Sequence, residues 1–156
     1  LTLSLNYTYT QSKQKDGENK GAPLSYTPKH MANARLNWQA TEDMNAWLSA
    51  RYRGKAPRFT QNYDNLSAVQ KAVYDDKGAD LKAWTVVDMG MSYKLTKDLT
   101  LNTAVNNVLD KDFSEVKLYQ VGRNSTYAGD YYQTAQSTTG YVNPGRNYWV
   151  SLNYQF

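Results

Sequence analysis

The residues of this 156-residue chain that could do chemistry are dispersed rather than gathered. The single histidine, His30, stands just before an alternating segment; a metal ion needs several ligands, so His30 reads as structural. Asp88 and Asp110 form no catalytic pair, and no Ser-His arrangement suggests a hydrolase. There is no cysteine for thiol or disulfide chemistry, no glycine-rich phosphate loop and no metal-ligand spacing. What the chain carries in excess is 14 Tyr and 4 Trp, against 3 Phe. An apolar ring with a polar tip suits a membrane-water interface. The net charge of +4 permits an anionic ligand, lipopolysaccharide or nucleic acid and does not choose among them. The expected chemistry is binding, not catalysis.

Such side chains need elements to position them. No run of about 18 apolar residues exists, so no transmembrane helix is expected. The mean hydropathy of -0.77 looks soluble. It is equally the value of a barrel strand, whose two faces average out. Six segments alternate with period 2. Leu1, Leu3, Leu5, Tyr7 and Tyr9 oppose Thr2 to Thr10; Ala32, Ala34, Leu36, Trp38 and Ala40 oppose Asn33, Arg35, Asn37 and Gln39. Ala46, Leu48, Ala50 and Tyr52 oppose Trp47, Ser49, Arg51 and Arg53, and Val87, Met89, Met91, Tyr93 and Leu95 oppose Asp88, Gly90, Ser92 and Lys94. Leu99, Leu101, Thr103 and Val105 oppose Thr100, Asn102, Ala104 and Asn106. Tyr148, Val150, Leu152, Tyr154 and Phe156 oppose Asn147, Trp149, Ser151, Asn153 and Gln155. Each stretch is predicted to run about 9–11 residues, enough for a tilted strand to cross a bilayer.

The connections alternate strictly between short and long. Thr41–Asn45 and Thr96–Asp98 are short; Gln11–Met31, Lys55–Lys82 and Asp110–Arg146 are long. An outer-membrane barrel has this pattern, with short periplasmic turns and long extracellular loops, whereas a soluble sandwich has no reason for it. The expected fold is therefore all-β, an antiparallel transmembrane β-barrel in the outer membrane of a Gram-negative bacterium. Trp38, Tyr93, Tyr154 and Phe156 fall at the periplasmic ends and Tyr7, Tyr9, Tyr52 and Tyr148 at the extracellular ends, as two girdles. Six strands cannot close in lipid, where open edges are not tolerated, so the chain reads as part of something longer. Apolar residues at Leu66, Val69 and Val73 predict a short helix in the second long loop.

The last stretch, Gly145–Phe156, resembles the C-terminal strand of TonB-dependent receptors, and Thr103–Phe113 resembles their penultimate-strand motif. Pro23–Trp38, Pro57–Tyr63 and Tyr127–Tyr131 resemble the ferric enterobactin subfamily of catecholate siderophore receptors. That resemblance implies that residues 1–156 are the last six strands of a 22-stranded barrel, with the plug domain and earlier strands lying before Leu1. It implies import of an anionic ferric siderophore, with iron only as cargo and no covalently bound cofactor. The implied partners are the siderophore, outer-membrane lipid and lipopolysaccharide, the TonB complex through the N-terminal region, and the barrel-insertion machinery through the terminal strand and Phe156. Nucleic acid is not expected.

An anionic catecholate complex favours cations for charge and aromatic rings for stacking. The loop candidates are Tyr63 and Tyr74 first, with Arg58 and Lys71 near them in sequence, then Arg123 and Tyr131. Each could instead be an ordinary surface residue or a lipopolysaccharide contact. Arg35, Arg51 and Arg53 line a substrate path or bond a plug and water. The competing functional readings are a passive porin-like or adhesin barrel without energy coupling, and a soluble carbohydrate-binding β domain.

Overall fold

A computed structural model of the chain describes residues 1–132 and 145–156. Six strands form one antiparallel sheet: β1 (Thr2–Tyr9), β2 (His30–Gln39), β3 (Met44–Arg53), β6 (Trp84–Lys94), β7 (Leu99–Asn106) and β10 (Asn147–Tyr154). They pair in that order, each with the next along the chain. Four short strands belong to the long loops. These are β4 (Ala56–Pro57) with β5 (Asp80–Leu81), and the hairpin β8 (Val116–Val121) with β9 (Asn124–Gly129).

The register carries the apolar face unbroken across the sheet. Leu3 faces Leu36, Leu36 faces Leu48, and Leu48 faces Met89. Met89 faces Val105, and Leu101 faces Leu152. A slip of one residue would turn an entire strand's apolar set to the other side, so this agreement is a strong constraint on the fold. The face is not covered by protein. Of the ten buried apolar side chains among the described residues, only Val86 belongs to this sheet, while Leu3, Leu152 and Val150 are each at least 60% exposed. An apolar surface of that extent marks contact with lipid or a partner.

The opposite face is polar and pinned by side-chain contacts. The Arg35 guanidinium lies 4.5 Å over the Trp47 ring. Arg51 pairs with Asp88 at 3.3 Å, and the other Asp88 oxygen accepts the Asn107 amide at 2.8 Å. Asn107 has a left-handed backbone (φ 53°), and its side chain closes the following turn onto Lys111. The Asp110 carboxylate accepts the amide of Arg146 at 3.0 Å, fixing the approach to β10. Asp88 and Asp110 thus each have a structural task.

The structure departs from the sequence expectations in three places. β1, β7 and β10 are 8 residues long, shorter than the expected 9–11. β6 starts at Trp84, three residues before Val87, because its ladder with β3 runs on to Arg53; Trp84 and Val86 put apolar side chains on the polar face, so the alternation does not mark them. The predicted helix forms as α1 (Ala68–Lys77), two residues later than its apolar pattern begins, because Ser67 caps it. The Ser67 side chain accepts the Gln70 amide while the Gln70 side chain accepts the Ser67 amide, a reciprocal box that sets the first turn.

Candidate functional site

The long connections gather at one end of the sheet and the short turns at the other. α1 buries Val69 and Val73 against Tyr119 and Ala128 of the hairpin, with Phe59 and Ala72 beside them. The hairpin turns at Gly122-Arg123, with Gly122 at φ 62°, a conformation glycine adopts without penalty. The second and third long loops therefore share one small core above the sheet.

Charged groups tie that core together. Arg58 is only 3% exposed; its guanidinium donates to the carbonyls of Gly129 (2.8 Å) and Gly78 (3.3 Å). Burial lowers the Arg58 pKa, opposed by the charge of nearby Asp130. Asp130 pairs with Lys82 at 2.5 Å and Lys77 at 2.9 Å. Burial works against its carboxylate, but hydrogen bonds from Lys82 and Lys77 outweigh it and hold Asp130 below the usual range. On the other side of α1, Asp76 accepts from Lys117 at 2.9 Å and from the Tyr119 hydroxyl. Burial and the Asp76 carboxylate push Tyr119 up to about 12.

These directions define a pH window for the loop unit. Asp130 is depressed, so its contribution is present above the unfolded carboxylate value of about 3.9 and fades as pH falls through its lower folded value. Tyr119 is raised, so its contribution is complete below about 10, the unfolded phenol value, and is lost as pH rises toward its folded value. Limited proteolysis of α1 and the hairpin should show protection at neutral pH. Cleavage should increase below about pH 4 and above about pH 10. A flat profile across both edges would exclude these ionic ties as determinants of loop order.

The candidates separate clearly. Tyr63 and Tyr74 meet edge to face with centroids 5.0 Å apart, and Lys71 lies 5.4 Å over the Tyr63 ring. The Tyr63 hydroxyl donates to Asp75 at 3.0 Å, which raises its pKa. Both tyrosines wall a cleft of about 210 Å³ that reaches Pro23 of the first long loop. Arg58 lies apart from this surface in role, since its donors are turned onto loop carbonyls. Arg123 is exposed at the hairpin tip. Tyr131 accepts from Lys111 at 2.5 Å and meets Phe113 edge-on at 5.4 Å. A second, larger cavity of about 570 Å³ opens between the three loops, lined by Tyr26, Arg58, Gln61, Gln70, Thr126 and Tyr127. Sequence reasoning passed over it, together with the Asp130 pairs and the hairpin; the Gly-X turn at Gly122-Arg123 was the available signal for the last.

On the polar face, Arg53 donates to the Tyr26 carbonyl at 2.8 Å and lies 4.5 Å over the Tyr132 ring. Tyr148, at the loop end, and Trp38, Tyr93, Tyr154 and Phe156, at the turn end, are all exposed, and the last two meet at 5.0 Å. The Nδ1 of His30 and the Tyr7 hydroxyl share a hydrogen bond of 2.7 Å. Among the described residues, no three His, Cys, Asp or Glu side chains group as a metal site.

An in-register sheet with a bare apolar face, short turns at one end and folded loops at the other is wall of an outer-membrane β-barrel. The chain belongs to the TonB dependent receptor-like β-barrel family, which it matches over residues 1–108. It is 36% identical over its whole length to the iron-regulated outer membrane virulence protein of Vibrio cholerae serotype O1, covering 19% of that protein. It is 31% identical over its whole length to the ferric enterobactin receptor of Pseudomonas aeruginosa, again covering 19%. A solved structure of a mutant of the Pseudomonas aeruginosa receptor in complex with enterobactin aligns over 99% of this chain and 20% of its own. The TM-score is 0.67 and the identity 27%. The chain thus spans about a fifth of the length of these relatives.

Proposed function

We propose that this chain forms part of the barrel wall and extracellular surface of an outer-membrane receptor that imports ferric catecholate siderophores with energy from the TonB complex. The observation that carries it is similarity along the whole chain to proteins named as ferric enterobactin receptors. The loop end supports it independently, with the Tyr63–Tyr74 pair and Lys71 presenting aromatic edges and one cation to an anionic aromatic ligand. Tyr63, Tyr74 and Lys71 are the direct contacts in this reading; Arg58 acts by holding the loops, and Arg123 and Tyr131 are secondary. Iron enters only as cargo, and no catalytic step falls to the chain.

The outer edges of β1 and β10 pair with no strand among the described residues, and such edges are costly in lipid. Residues 1–156 would then be the C-terminal portion of a 22-stranded barrel whose other strands, plug and TonB-contacting segment come from the rest of the parent protein. Trp38, Tyr93, Tyr148, Tyr154 and Phe156 would seat in the interfacial girdles, and the β10 strand with Phe156 would be read by the insertion machinery.

The test is tryptophan fluorescence of the full-length receptor titrated with ferric enterobactin. Saturable quenching is expected. Tyr63→Ala and Tyr74→Ala should each weaken it by about 2–10-fold, the worth of one aromatic contact of about 0.5–1.5 kcal/mol. A response to a different ferric chelate and none to a catecholate would overturn the substrate. A parent gene without a plug would favour the passive porin-like or adhesin reading.

A further inference from the structure

The cleft walled by Tyr63 and Tyr74 has a neighbour. Pro23, Pro57 and Asp80 line it and also line a second cleft, of about 330 Å³, so the two adjoin across these residues. The shared wall is held in place by backbone bonds. Pro57 faces Asp80 in the β4–β5 ladder, and the Tyr26 amide donates to the Pro57 carbonyl at 2.8 Å, tying the first long loop to that ladder. Within the first loop the Gln14 amide donates to the Ala22 carbonyl, and the Gly21 amide to the Gln14 carbonyl, both at 2.8 Å. This fold-back sets Lys13 and Pro23 on the same cleft.

The second cleft is cationic. Lys13, Lys29 and Lys55 line it, against the single carboxylate of Asp80. Two of the lysines oppose each other. Met31 faces Arg53 in the β2–β3 ladder, and the Gly54 amide donates to the His30 carbonyl at 2.8 Å. One step further, the same register sets Lys29 across from Lys55. His30 lies with Tyr7 and Tyr9 on the apolar side, so alternation turns both lysines to the polar side. Like charges directly opposite one another destabilise a ladder. Among the described residues none of the three lysines has an acid within ion-pair distance, whereas Lys77, Lys82 and Lys117 all do. The loop unit neutralises its other cations and leaves these three.

We infer that the two clefts form one elongated site, in which Tyr63 and Tyr74 take an aromatic ring of the ligand and Lys13, Lys29 and Lys55 take its negative charge. The inference rests on the reading that the ligand is a ferric catecholate, and it assigns the charge-neutralising residues for that ligand. A ferric ion held by three catecholates keeps a threefold negative charge, because six phenolate oxygens outweigh it. Arg58 cannot meet that charge, since its donors are committed to the Gly129 and Gly78 carbonyls. Lys71 lies over the Tyr63 ring and supplies one cation. The lysine cleft supplies three, and an anion seated there also relieves the repulsion between Lys29 and Lys55.

The experiment titrates the full-length receptor with ferric enterobactin by tryptophan quenching, over a series of salt concentrations. The variants are Lys29→Gln, Lys55→Gln and the triple variant Lys13→Gln/Lys29→Gln/Lys55→Gln; heat-modifiable gel migration confirms that each is an assembled barrel. Lys15→Gln, which removes a charge from the same loop outside the cleft, is the control. Each cleft lysine removed should weaken binding about 2–5-fold at low salt, the worth of one exposed charge pair. The triple variant should also lose most of the salt dependence, which a merely structural role would leave in place. Lys15→Gln should bind as the wild type does. Unchanged affinity and salt dependence in the triple variant, with the wild type still binding ferric enterobactin, would overturn the inference and leave the substrate reading standing. An equal loss in Lys15→Gln would reduce the three lysines to general surface charge and overturn it as well. A wild-type receptor that does not respond to ferric enterobactin would overturn the substrate reading and the inference together.

Discussion

Replacing Gly90 with alanine is expected to cost the barrel about 1–3 kcal/mol and to reduce the assembled receptor in the outer membrane severalfold, because the added methyl has nowhere to go. A Cβ at position 90 would lie 2.6 Å from the Thr103 carbonyl oxygen and 2.7 Å from Cζ2 of Trp47. The Trp47 ring cannot simply swing away, since the Arg35 guanidinium is stacked on it. The carbonyl belongs to β7, which pairs with β6 through this very row, Gly90 opposite Ala104. Relief therefore requires either breaking the Arg35–Trp47 stack or widening the β6–β7 ladder. The measurement is the fraction of heat-resistant, fast-migrating receptor, followed by its urea midpoint in lipid. Adding Trp47→Ala to Gly90→Ala should recover part of the loss and no more, since the contact with Thr103 backbone remains. Wild-type assembly and midpoint in the single variant would show that β6 and β7 yield freely at this row.

The same row shows what the sequence could and could not disclose. Alternation placed Gly90 and Trp47 on the polar face, and the observed register keeps them there as direct partners. Nothing in the spacing said that the indole lies across the glycine, which depends on one rotamer of one ring. Period 2 was legible because each strand of this wall has two different environments. It failed at Trp84 and Val86, where protein lies against the polar face: Trp84 meets Phe113 and Val86 is 3% exposed. In the loops the helix was legible because α1 is amphipathic, and Tyr63, Tyr74 and Lys71 were expected near one another because they are close in sequence. Arg58 defeated that logic. Its partner carbonyl at Gly129 is 71 residues away, so no local pattern could reveal that it is an internal brace and not a surface cation.

That brace gives the second large expected effect. Arg58→Ala should loosen α1 and the β8–β9 hairpin by about 3 kcal/mol, since hydrogen bonds to a charged donor are worth about 1.5–3 kcal/mol each and two are lost. The Gly129 and Gly78 carbonyls would be left without their guanidinium donors. Amide hydrogen exchange in the full-length receptor should accelerate about 100-fold over residues 68–77 and 116–129, at about tenfold per 1.4 kcal/mol. β2 and β3 should exchange as in the wild type, because no side-chain bond from Arg58 reaches them. Arg58→Lys should not rescue, because an ammonium lacks the planar fork that reaches two carbonyls on different segments. Ligand binding separates this role from direct contact. Tyr63→Ala should weaken ferric catecholate binding while leaving hairpin exchange unchanged, whereas Arg58→Ala should change exchange with or without ligand present. Unaltered exchange in Arg58→Ala together with lost binding would instead make Arg58 a contact residue, and would mean its guanidinium leaves the loop carbonyls when the siderophore arrives.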